Sequence, residues 1–132
     1  MAQATITYYQ LLDLSTRRDF AERVFYAVGK ALYGKDEKDM LVADVTVRTL
    51  QLDNTASKSS ARVELHIEVA SGEWPKDEQG NDLSREKTEI KMKQLAHHVC
   101  ADLVVHQPTV RGLNVWCTQY PATGWATNVE EY

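Results

Sequence analysis

The stretch Arg62-Val63-Glu64-Leu65-His66-Ile67-Glu68-Val69 decides the fold. Val63, Leu65, Ile67 and Val69 alternate strictly with Arg62, Glu64, His66 and Glu68. A period of two puts one set of side chains on each face of a strand, so one face is aliphatic and needs a cover. Upstream, residues 53–60 are small and polar and read as a loop. Before them, residues 41–52 read as a strand with Ala43, Val45, Val47 and Thr49 on one side. Downstream, residues 71–82 hold Gly72, Pro75, Gly80 and Asn81 and read as an exposed excursion, either a flexible insert or a lid.

The cover for the aliphatic face comes from two helices. Phe20, Val24, Ala27, Val28, Ala31 and Leu32 recur at spacings of three and four, with Ser15 or Thr16 as N-cap and Gly34 as the left-handed residue that ends the helix. A second helix begins at Ser84, with Met92, Leu95, Ala96, Val99 and Leu103 on one face and a Glu89–Lys93 pair on its surface. Residues 5–12, rich in β-branched and aromatic types, read as a first strand, and residues 111–120 as a last one. Residues 121–132 read as a tail containing Trp125.

The order is therefore β-α-β-β-α-β, an α+β chain of two β-α-β units with a four-stranded sheet and two helices on one face. Asp13-Leu14-Ser15 before the first helix matches Asp82-Leu83-Ser84 before the second, and Val24, Val28 and Leu32 match Leu95, Val99 and Leu103 at one constant offset. The reading is one domain, 1–132, with a duplicated unit at about 4–52 and 61–120; two unrelated amphipathic helices would give the same matches. Each unit should form a parallel pair of strands. The second sheet face, with Tyr8 or Tyr9, Leu50 and Trp116, would stay bare unless another subunit covers it, so an oligomer is expected. A ferredoxin-like sheet shares the same element order but separates strands one and two.

Bulk properties narrow the function classes. The 132 residues suit one domain, 43% hydrophobic and 26% charged, with a net charge of −4. No basic stripe offers itself to nucleic acid, and no apolar run reaches membrane-spanning length. Two cysteines, Cys100 and Cys117, read as buried thiols of a reducing, cytoplasmic compartment, and the start of the chain has no signal-peptide pattern. Neighbouring His97 and His98 point about 100° apart on a helix and cannot readily chelate one ion, so no metal is expected. No glycine-rich phosphate loop or nucleophile elbow occurs, and no cofactor is expected. His66, outward on its strand, reads as a surface or interface residue. Arg17, Arg18, Arg85 and Arg111 are candidate anion binders or solvated surface residues; Trp74 and Trp125 are candidates for interface or pocket packing.

Three stretches together resemble the tautomerase superfamily, which includes 4-oxalocrotonate tautomerase, macrophage migration inhibitory factor and malonate semialdehyde decarboxylase. They are Val63 to Gly72, a strand ending in glycine; Leu83-Ser84-Arg85-Glu86-Lys87 leading to Leu95 and Val99; and Val110 to Tyr120 followed by Pro121-Ala122-Thr123-Gly124-Trp125. The resemblance implies a homotrimer of duplicated βαβ units. It implies sites near the start of strand one at subunit boundaries, where an N-terminal proline amine acts as base or acid and arginines hold a small keto–enol carboxylate. In this sequence residue 2 is alanine, not proline, and Glu73 stands where the family has an arginine. The implied site is then the Ala2 amine, freed by removal of Met1, with Arg17, Arg85, Arg111 and Trp125 around the substrate. A non-catalytic oligomeric binding or structural protein is the other reading.

Overall fold

The computed structural model describes residues 2–9, 12–52, 62–70, 76–110, 112–119 and 122–128. Strands β1 (Ala2–Tyr8), β2 (Val45–Gln51), β3 (Val63–Val69), β4 (Leu113–Gln119) and β5 (Ala122–Thr127) form one sheet in the order β2-β1-β3-β4-β5. Helices α1 (Leu14–Tyr33) and α2 (Arg85–His106) connect β1 to β2 and β3 to β4. Both of those strand pairs are parallel, and the two halves join through antiparallel β1 and β3. Because β1 and β2 are direct neighbours, the ferredoxin-like arrangement is excluded.

The alternation in β3 is realised as read. Val63, Leu65, Ile67 and Val69 are buried, together with Ala2, Ala4, Ile6 and Tyr8 of β1 and Leu113, Val115 and Cys117 of β4. Against this face α1 places Phe20, Val24, Val28 and Leu32, and α2 places Met92, Leu95, Val99 and Leu103. Each large aliphatic side chain removed from water contributes roughly 1.5–3 kcal/mol before the entropy of ordering the chain is set against it.

Several boundaries differ from the sequence reading. The tail contains a fifth strand, β5, paired antiparallel with β4. Alanine and glycine, half of its residues, have little strand preference of their own; the free edge of β4 and the closeness of α2 select that conformation. β1 begins at Ala2 rather than residue 5 and ends at Tyr8, because β2 and β3 pair with every residue of it. Ala43 falls in a turn before β2. Helix α1 is capped by Asp13, whose Oδ1 accepts the Thr16 N–H at 2.7 Å, so Ser15 and Thr16 lie inside the helix. In the second half the cap is Ser84, not the aspartate two residues earlier. Gly34 ends α1 with φ 65°, as expected.

Tyr8 points into the core, edge-on to Phe20, and donates its hydroxyl to the Arg17 carbonyl at 3.4 Å. Burial pushes its phenol up to about 12. On α2 Glu89 takes Arg85, at 3.3 Å. Residues 76–82 form a tight turn closed by the bridge between Lys76 and Asp82, with Gly80 at φ 80°. The 53–60 loop reading and residues 71–75 lie outside the described residues. Among the described residues no helix is long and apolar enough to cross a membrane.

The open sheet face carries Trp116 (40% exposed), Trp125 (44%) and Leu50 (52%), as the need for a cover implied. The two indoles sit opposite each other on β4 and β5 with centroids 5.7 Å apart. Polar pairs share the face: Gln3 accepts from the Arg48 guanidinium at 3.0 and 3.1 Å, Tyr9 donates to Glu64 at 3.0 Å, and the His66 Nε2 meets Thr118 Oγ1 at 2.9 Å.

Gly124 marks the closest approach of β5 to α2. A Cβ there would lie 2.2–2.4 Å from backbone atoms of Met92 and Lys93. At Gly29 a Cβ would meet only the flexible Met40 side chain. Gly124→Ala should therefore lower stability in urea by about 2 kcal/mol or more, whereas Gly29→Ala should cost less than about 1 kcal/mol, since Met40 can move and alanine favours the helix.

Candidate functional site

Topology decides what surrounds the start of β1. A crossover helix that returns the chain to a parallel neighbour must end near the point where the first strand began. The end of α1, the residues after Gly34 and the entry to β2 therefore gather around Ala2. The C-terminal end of β3 reaches the same place, because Ala2 pairs with Val69.

Asp44 organises this corner. Its carbonyl accepts the Ala2 N–H at 3.3 Å and the Tyr33 hydroxyl at 3.5 Å. Its carboxylate accepts the Lys35 ammonium at 2.7 Å and the Leu41 N–H at 2.8 Å. Lys35 Nζ also lies 5.9 Å from the centre of the Tyr33 ring. The Lys35 ammonium, followed by the Leu41 amide, holds the Asp44 carboxyl below the usual carboxylate range. Across the sheet, Gln119 donates to the Ala70 carbonyl at 2.8 Å, fastening the end of β3 to β4. A partly exposed ammonium, a phenol and the nitrogen that starts β1 thus share one corner, a set able to hold an anion and pass a proton.

The sequence candidates are dispersed. Ala2 is wholly buried within the sheet, and its N–H is engaged by Asp44. Arg17 lies in the first turn of α1, at the opposite end of β1, about 20 Å away by strand rise. Its Nε is buried with no hydrogen-bond partner among the described residues. Arg85 opens α2, exposed and tied to Glu89. Trp125 lies on the open face of β5. Arg111 falls outside the described residues, as does Trp74. Within one chain Ala2 and Arg17 are not brought together.

The residues that sequence reasoning missed are Tyr33, Lys35 and Asp44. Their signal was available: Tyr33 and Lys35 flank the glycine that ends α1, Asp44 directly precedes β2, and a parallel β1–β2 pair makes both places the neighbourhood of residue 2. Among the described residues no cluster of three or more His, Cys, Asp or Glu is placed to hold a metal ion.

The fold has known counterparts. The chain superposes on a structure of Pt0534 inactivated by 2-oxo-3-pentynoate with a TM-score of 0.51 at 12% identity, covering 88% of this chain and 85% of that one. It superposes on the symmetric trimer form of a fused 4-OT with a TM-score of 0.51 at 10% identity, covering 90% and 85%. The fold is that of the tautomerase superfamily. No family sequence model matches the chain, and no curated relative matches it by sequence, so the likeness to tautomerases lies in the fold.

On this tautomerase-like frame Asp44 also reports on pH. A carboxyl whose folded pKa is depressed stabilises the fold above its unfolded value and loses that contribution as pH falls through the folded one. Thermal melts of Asp44→Asn should show a lower midpoint than the parent at pH 7, with the gap closing below about pH 4.

Proposed function

We propose that this protein is a keto–enol isomerase, or a catalyst of closely related proton transfer, acting on a small carboxylate at the start of β1. The observation that carries the reading is the convergence of the Ala2 nitrogen, the Tyr33 hydroxyl and the Lys35 ammonium on Asp44. With Met1 removed, the Ala2 amine becomes the proton carrier, and Lys35 holds the substrate carboxylate. A primary amine at this place has an ordinary pKa of about 7.7–8 before its surroundings act, suited to moving a proton near neutrality.

The same reading makes the protein a cytoplasmic homotrimer of like βαβ halves, 4–52 and 61–120. The exposed Trp116, Trp125 and Leu50 support burial of the open face against other copies. The fused 4-OT structure is itself a trimer. At a junction between copies, Arg17 or Arg111 of one subunit, with Arg85 and Trp125, reaches the Ala2 corner of the next. That supplies the Arg17 guanidinium, which one chain keeps away from Ala2. No nucleic acid, membrane, metal or cofactor enters this scheme.

One observation favours a second reading. The buried Ala2, with its N–H held by a carbonyl, fits a non-catalytic oligomeric binding protein of the same fold.

Ketonisation of phenylenolpyruvate and 2-hydroxymuconate separates the two. Activity that disappears when the N-terminal amine is acetylated, and falls at least tenfold in Lys35→Ala, supports the isomerase. A single adduct of 2-oxo-3-pentynoate on Ala2, seen by intact mass and peptide mapping, supports it independently. Inactivity across a panel of keto acids, with no adduct, sinks it. Sedimentation should give three times the 132-residue chain mass.

A further inference from the structure

Two nitrogens carry the proposed chemistry, the Ala2 amine and the Lys35 ammonium, and Asp44 is bonded to both. It uses a different group for each. Its backbone carbonyl accepts the Ala2 N–H at 3.3 Å, and its carboxylate accepts Lys35 Nζ at 2.7 Å. The carboxylate is itself fixed. The Leu41 N–H donates to the same oxygen at 2.8 Å, and the Asp44 N–H donates back to the Leu41 carbonyl at 3.0 Å. These bonds close residues 41–44 into a turn directly before β2. Val45 pairs with Ala2, so the strand register that starts β2 also sets Asp44 beside the nitrogen that starts β1.

Lys35 is held at two points, by Asp44 and by the Tyr33 ring, whose centre lies 5.9 Å from Nζ. The Asp44 and Lys35 side chains are 16% and 31% exposed, so water screens the pair only in part. An ammonium has three donors. One is committed to Asp44, and a substrate carboxylate can take another while the pair stays intact. A long, flexible stem thus arrives already oriented, which lowers the entropy lost on binding.

The side chain also acts on the amine. Beyond Lys35 and the Leu41 amide, the positive charge of the amino terminus is a further group that lowers the Asp44 carboxyl. Such coupling is reciprocal, so the carboxylate favours the charged form of the amine. The titratable side chains bonded at this corner are Tyr33 and Lys35 at the end of α1 and Asp44 before β2. Val69 and Ala70, which bring in the end of β3, carry none.

We infer that the Asp44 side chain is a positioning group: it orients Lys35 toward the substrate carboxylate and sets a negative charge beside the Ala2 amine. Its use in catalysis rests on the isomerase reading; its effect on the two nitrogens does not.

The test compares Asp44→Asn, Asp44→Glu and Lys35→Met with the parent, all lacking Met1 and all read well below their melting midpoints. The Ala2 amine is titrated through the ¹³C shifts of its own Cα and Cβ. Asp44→Asn should lower the midpoint by about 0.3 pH units or more, because a charge that favoured the ammonium is gone. Asp44→Glu, which keeps the charge, should recover most of that fall. Lys35→Met, which removes a neighbouring cation, should raise the midpoint. Glu22→Gln, on the exposed face of α1, should leave it unmoved. With phenylenolpyruvate, Asp44→Asn should raise KM by about threefold or more, and the same change in a Lys35→Met background should raise it no further. An amine midpoint that stays put in Asp44→Asn, or equal KM increments with and without Lys35, overturns the positioning role. A midpoint that falls in a protein inactive toward every keto acid upholds the effect of Asp44 on the amine and sinks the isomerase reading instead.

Discussion

Strand β1 is the constraint on which the rest depends. It is paired along its full length on both sides, parallel to β2 and antiparallel to β3. Every buried position of the strand faces the helices: Ala2, Ala4, Ile6 and Tyr8. A slip of one residue would turn those four outward and present Gln3, Thr5 and Thr7 to the core, so the register is strongly specified. Once β1 is fixed in this way, α1 must end beside Ala2, and the corner built by Tyr33, Lys35 and Asp44 follows from connectivity.

The same constraint separates the two ends of the sheet. Within one chain the amine end of β1 gathers a lysine, a tyrosine and an aspartate, while Arg17 sits at the other end of the strand. On the proposed reading, substrate binding by arginines calls for another copy. The bare face with Trp116, Trp125 and Leu50 offers the surface through which copies can meet. The fold and the Ala2 corner both follow from where one strand lies, and the proposed oligomer is read from the face that strand leaves bare.

Much of the fold was legible because period and punctuation agreed locally. The alternation in β3, the apolar stripes of α1 and α2, and the glycine at position 34 each pointed to one structure. The parts that were not legible are those set by tertiary contact. Residues 122–127 become a strand because β4 offers an edge and the α2 backbone tolerates only a glycine at position 124. Ala2 to Ala4 join β1 because both neighbours pair with them, although alanine has little strand preference. Residues 35–39 are all charged, and a linear reading cannot tell which cation will meet Asp44. Arg17, Arg85 and Trp125 were candidates by residue type, and only resemblance to a family whose sites lie at subunit boundaries gathered them into one site.

The most direct measurement is the pattern of interstrand proton contacts around β1 in solution. The arrangement described here predicts short Hα–Hα contacts between β1 and β3, as antiparallel strands give, with Ala4 opposite Ile67. On its other side β1 should show amide contacts to β2 in parallel register, with Ala4 opposite Val47. A strand found between β1 and β2, or parallel contacts between β1 and β3, would contradict the fold and remove the corner at Ala2 with it.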